Sequence, residues 1–117
     1  MSPNKAIPID SMVFKIKADF LKALSHPIRL QIIEHLKNGE ANVGKLVSAL
    51  GVEQSNLSRH LAILRELGIL HIRQEKTTIY YDISDHDIFK VLRPISVILK
   101  KHFKKSERLL QRLGKEG

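Results

Sequence analysis

Cysteine is absent from the 117 residues, which removes disulfides, thiolate metal ligands, thiol nucleophiles and cysteine redox switches together. Long apolar runs are missing as well. None nears the roughly 18 residues that would span a bilayer, and residues 1–10 lack the apolar centre of a secretory signal. The expected compartment is the cytoplasm, with no membrane partner. Acidic residues are outnumbered, 12 against 20 Lys and Arg, leaving a net charge of +8. A surplus of this sign suits a polyanionic partner, because Lys and Arg at phosphates release condensed counterions. The surplus is unevenly placed: residues 1–24 carry +2, residues 25–99 carry +1 and residues 100–117 carry +5. A solvated basic tail accounts for the last segment equally well.

What is present is the composition of a folded chain, with 43% hydrophobic and 27% charged residues. The length suits a single domain over residues 1–117. The stretch "VEQSNLSRHLAILRELGIL", residues 52–70, carries two kinds of side chain. Leu57, Leu61 and Leu64 recur at spacings of four and three and mark the buried face of a helix. Gln54, Ser55, Ser58 and Arg59 fall off that stripe at the helix start. Amides, hydroxyls and guanidinium groups read base edges and phosphates from the N-terminal end of a recognition helix.

Around this helix the pattern is regular. Residues 1–9, with Pro3 and Pro8, read as an irregular arm. Asp10 or Ser11 caps a helix over 11–24 with a stripe of Val13, Ile16, Phe20 and Leu24. Pro27 suits the first position of a second helix burying Ile28, Ile32, Ile33 and Leu36, with His26 as its entry residue and Asn38-Gly39 as its end. Val43, Leu46, Val47 and Leu50 predict a short amphipathic helix stopped by Gly51, so that residues 43–67 form a helix-turn-helix. An ordinary helical hairpin is the alternative. After Gly68 the period changes to two. Leu70 and Ile72, then Ile79, Tyr81 and Ile83, predict a hairpin over 69–83 with "QEKTT" at its tip, a wing able to bring Arg73, Lys76, Thr77 and Thr78 to DNA. A last helix over 86–113 is expected to kink or restart at Arg93-Pro94. Its seam of Leu92, Ile95, Leu99, His102, Ser106, Leu109 and Leu113 has heptad-like spacing and predicts a homodimer built with the first helix. The dimer-interface residues expected are Val13, Phe20, Leu92, Ile95, Leu99, His102 and Leu109. The fold class is thus mainly α with a small β-hairpin, in the order α-α-α-α-β-β-α.

Over about residues 20–99 the chain resembles the winged helix-turn-helix repressors of the ArsR/SmtB family. "LKALSHPIRLQIIEHL" is similar to that family's second-helix signature. "SALGVEQSNLSRHLAILRELGIL" is similar to its helix-turn-helix block, notably at Ser55, Ser58, His60 and Leu61, and "IRQEKTTIYYDI" to its wing. The resemblance implies a homodimer that binds double-stranded operator DNA and releases it to an inducer. It also points to two metal sites. The family's Cys-Val-Cys motif aligns with Asn42, Val43 and Gly44, and its second ligand set with Asp85, Asp87, Ile98 and Lys101. Neither set keeps its ligands, since Ile98 cannot ligate and Lys101 repels a cation. A rearranged set of Asp82, Asp85, His86 and Asp87, with His102 from a partner chain, is conceivable. Acids capping the last helix explain that cluster as well, and no metal or cofactor is expected.

The DNA-contact residues expected are Gln54, Ser55, Asn56, Ser58, Arg59, His60, Arg73, Lys76 and Thr77. Arg59 leads, because its planar fork matches guanine O6 and N7. A salt bridge is its alternative, as a packed core position is for His60. The function expected is a sequence-specific repressor released by an unknown signal that is neither thiol-based nor a metal. The alternatives are a winged-helix protein-interaction module and a metal sensor with a rearranged site. No enzyme is expected: Ser58 and His60 point to different faces of one helix, and no acid-base pair or phosphate loop is evident.

Overall fold

Helix α1, Ile9–Leu24, begins earlier than its polar residues suggest, so Asp10 and Ser11 lie inside its first turn and do not cap it. There Asp10 still suits the positive end of the helix dipole. The computed structural model describes the backbone of residues 9–116 and the side chains of residues 10–112. The arm expected over 1–9 lies outside them except for Ile9, which is already helical. Of the α1 stripe, Leu24 is buried and Phe20 half-buried, while Val13 and Ile16 are exposed in the isolated chain.

His26 then turns the chain in an extended conformation, and its Nδ1 accepts from the Ile28 N–H at 3.2 Å, capping α2, Pro27–Leu36. Ile32, Ile33 and Leu36 are wholly buried, and Ile28 is half-buried. Gly39, at φ 132°, closes the turn after α2 in a conformation that L side chains rarely adopt. Next comes an element that the periodicity did not reveal: β1, Ala41–Asn42. Asn42 Oδ1 also accepts from the Lys45 N–H at 2.8 Å, so the same residue ends the strand and caps α3, Val43–Leu50. Gly51, left-handed at φ 65°, stops α3 with its N–H on the Val47 carbonyl. Helix α4 is Gln54–Glu66.

The wing strands β2, Leu70–Glu75, and β3, Thr78–Ile83, pair antiparallel, and β1 joins the free edge of β3 to give a sheet of order β1-β3-β2. Gln74 faces Ile79 and Glu75 faces Thr78, so the strands run further than expected and the tip is only Lys76-Thr77. Lys76 takes φ 57°, the one positive φ outside glycine among the described residues. A positive φ on the first residue of a two-residue loop is the pattern of a II′ turn, where glycine is usual.

The core of this part lies where α2, α3 and α4 meet the sheet. Ile32, Ile33, Leu36, Leu46, Leu57, Leu61, Leu64 and Leu70 are all but inaccessible there. Contacts divide the chain into two compact units, one up to Ser84 and one from Asp85 on. The second holds α5, Ile88–Glu116. Its helix runs through Pro94, so the restart expected at Arg93-Pro94 does not occur. Leu92 and Ser106 are half-buried. Ile95, Leu99, His102 and Leu109 of the seam are exposed in the isolated chain, and the Leu113 side chain lies outside the described residues.

Candidate nucleic-acid interface

Helix α4 keeps its two faces apart. Leu57, Leu61 and Leu64 have no accessible surface, whereas Gln54, Ser55, Ser58 and Arg59 are exposed and Asn56 is half-buried. Glu53 occupies the N-cap without a side-chain capping bond, and its carboxylate accepts from the Ser55 hydroxyl at 2.7 Å. One turn on, the Arg59 guanidinium donates to Asn56 Oδ1 at 2.8 Å. Among the described residues Arg59 has no carboxylate within ion-pair distance, and the neutral Asn56 amide takes the place of the salt bridge expected as its alternative and orients the fork.

His60 corrects the list of DNA-facing residues. It is 7% exposed and lies on the Leu57–Leu64 side. Its ring centroid is 4.2 Å from that of His26, and Nδ1 accepts from Arg29 Nε at 3.1 Å. A further Arg29 nitrogen donates to the Ala23 carbonyl at 2.5 Å, so one guanidinium ties the end of α1 to α2 and α4. Desolvation, with the electrostatic influence of His26, Arg29 and Arg59 behind it, pushes the His60 pKa below the ordinary histidine value. Its place was partly legible: position 60 is three residues after Leu57 and four before Leu64, on the rim of the stripe. Nothing in the spacing pointed to Arg29.

In the wing, the Arg73 side chain is 47% exposed and is bonded within the chain. Arg73, expected at DNA, is held by Glu40, with nitrogen to oxygen distances of 2.6 and 3.1 Å, and it also meets Glu75 at 3.4 Å. Its guanidinium carbon stands 4.5 Å from the centre of the Tyr80 ring. The hydrogen bonds to Arg73 hold the Glu40 carboxyl below the usual carboxylate range, and Glu40 in turn raises the Arg73 pKa. Arg73 therefore braces the wing against the turn before β1. Lys76 and Thr77, at the tip, are exposed and open to a partner.

The sequence profile of the bacterial regulatory protein, arsR family, matches residues 26–71. An uncharacterized HTH-type transcriptional regulator of Mycobacterium tuberculosis, Rv0081, is 40% identical over 81 residues, covering 68% of this chain and 71% of the relative. The chain belongs to the arsR family. The crystal structure of Rv0081 superposes with a TM-score of 0.73 at 35% identity, over 80% of this chain and 94% of that one. NolR from Sinorhizobium fredii gives 0.73 at 37% identity, over 84% and 96%. The homodimeric winged helix-turn-helix DNA-binding domain Mb0332 from Mycobacterium bovis gives 0.73 at 26% identity, over 88% and 95%.

The metal positions of the arsR family do not fit a metal in this member. Asn42 offers an amide oxygen already bonded to Lys45 N–H, beside Val43 and Gly44. Asp85 Oδ1 accepts from the Asp87 N–H at 2.9 Å. Among the described residues no three His, Asp or Glu side chains converge on a point where an ion would sit, and no helix is long and apolar enough to cross a membrane.

Proposed function

We propose that this arsR-family protein is a cytoplasmic, homodimeric repressor that binds operator DNA in a sequence-specific manner and is no enzyme. The observation that carries the reading is the division of α4, with three leucines sealed in the core and Gln54, Ser55, Ser58 and Arg59 on the open side. Gln54 and Asn56 offer amides to adenine, Arg59 a fork to guanine, and Ser55 and Ser58 hydroxyls to phosphate. Lys76 and Thr77 at the wing tip reach the backbone or minor groove. The exposed apolar residues of α1 and α5, among them Val13, Ile95, Leu99 and Leu109, are the surface that a second copy covers. The signal that releases DNA is unassigned: with no cysteine and neither family metal site intact, the candidates are a small organic molecule, a partner protein or no ligand at all, and the alternative is a metal at the rearranged set of Asp82, Asp85, His86 and Asp87.

Fluorescence anisotropy with the protein's own upstream promoter and with scrambled DNA, at physiological salt, tests this. Preference for the promoter by about a thousandfold is expected. Equal binding to both, with no sequence enriched from a random pool, overturns it. That result would favour a winged-helix protein-interaction module, the reading to which the near-neutral stretch of residues 25–99 lends support.

A further inference from the structure

The C-terminal half of α5 sorts its charge from its apolar surface. At 3.6 residues per turn, Lys100, Lys101, Lys104, Lys105, Arg108 and Arg112 fall within an arc of about 140°. Leu99, Phe103, Leu109 and Leu110 fall within a separate arc of about 120°. Glu107, the one acid between residues 100 and 112, projects outside the cationic arc. All six cations are exposed, and among the described residues none is within ion-pair distance of a carboxylate. The row rises about 18 Å along the helix.

The reading head is nearly neutral, with +1 over residues 25–99. Counterion release at phosphates supplies most of the sequence-independent affinity for DNA, and a dense cationic row elsewhere on the chain adds to what Arg59 and Lys76 offer. We propose that the cationic face of α5 over residues 100–112 is a second DNA-binding surface, which grips duplex phosphates without reading bases. The inference rests on the repressor reading above. DNA fits better than an anionic lipid surface because a helix lying in a bilayer interface must bury its apolar arc. Here that arc continues the seam given to the second protomer, so the cationic arc alone is left outside.

The test compares the full-length protein with a variant carrying Lys101→Gln, Lys104→Gln, Lys105→Gln and Arg108→Gln, on a mixed-sequence duplex longer than two helical turns. Anisotropy is followed between about 50 and 200 mM salt. The slope of log affinity against log salt should fall by about 0.9 for each cation that meets a phosphate, thus by about 3 to 4 per protomer. Sedimentation and circular dichroism should show the same oligomer and helicity. A second variant with Arg at the three Lys positions should keep the wild-type slope. A slope unchanged by neutralisation overturns the proposal, as does transfer of the wild-type protein from DNA to phosphatidylserine vesicles. The ratio of promoter to scrambled affinity separates the two readings. A reduced slope in a protein with no sequence preference sinks the repressor and leaves this surface standing; an unchanged slope with preference intact sinks this surface alone.

Discussion

Arg29 Nε donates to His60 Nδ1 at 3.1 Å, so a permanently charged side chain holds the imidazole of α4 in its neutral form. The His60 pKa is lowered in the fold, first by burial and then by neighbouring positive charge. The unfolded chain therefore binds the proton more readily. The stability due to neutral His60 is fully present above the unfolded value near 6.5 and is lost as pH falls from there through the folded value. Urea midpoints should drop on acidification across this window in the wild type, and less steeply in His60→Gln, whose amide oxygen can still accept from Arg29. Parallel pH profiles would remove His60 from the account. At neutral pH, Arg29→Ala leaves a buried acceptor unpaired and should cost about 1 to 3 kcal/mol.

Leu61 has no accessible surface, and Leu61→Ala should destabilise by about 2 to 5 kcal/mol. Ser58→Ala, three residues away on the open face, should stay within about 0.5 kcal/mol. Chemical denaturation of both variants checks the pair. Similar losses would mean that the faces of α4 are not divided as described.

Arg59→Ala should weaken operator binding by about 1 to 3 kcal/mol while leaving the melting temperature unchanged. Because Asn56 Oδ1 orients the guanidinium at 2.8 Å, Asn56→Ala should lose part of the same affinity. The double variant should then lose less than the sum of the two. Full additivity in anisotropy titrations would show that Asn56 does not act through Arg59.

Glu40 and Arg73 join the turn before β1 to the wing at 2.6 Å. Glu40→Gln should speed amide exchange along β3 without unfolding α2 or α4. Since the Glu40 pKa is lowered, the brace is intact above the ordinary carboxylate range and fails as pH falls through the folded value. Unchanged exchange in the variant would show that sheet pairing alone holds the wing.

Leu99 is 45% exposed in the isolated chain, within the apolar arc of α5. Leu99→Glu should shift sedimentation toward monomers and abolish tight operator binding, because two reading helices in one dimer engage the site as a linked pair. A monomer that bound DNA normally would contradict the proposed seam.

Helices α2, α3 and α4 were legible because their apolar residues repeat at the period of the helix that buries them, and because Pro27 and Gly51 punctuate them where backbone geometry demands. The outward set Gln54, Ser55, Ser58 and Arg59 was legible for the same reason, as the complement of the leucine stripe. The two-residue strand β1 was not, since two residues carry no period. Of the kink or restart expected at Pro94, the restart does not occur, because proline's cost to a helix does not forbid one whose other residues favour it.

Local order along the chain thus determined which residues form helices and strands and which face of each is apolar, since these follow from dihedral preference and side-chain period. Tertiary structure alone decided the fate of individual polar groups. Arg29 reaches a histidine 31 residues away and Arg73 a carboxylate 33 residues away. Such pairings depend on how elements pack in space, which no spacing along the chain encodes.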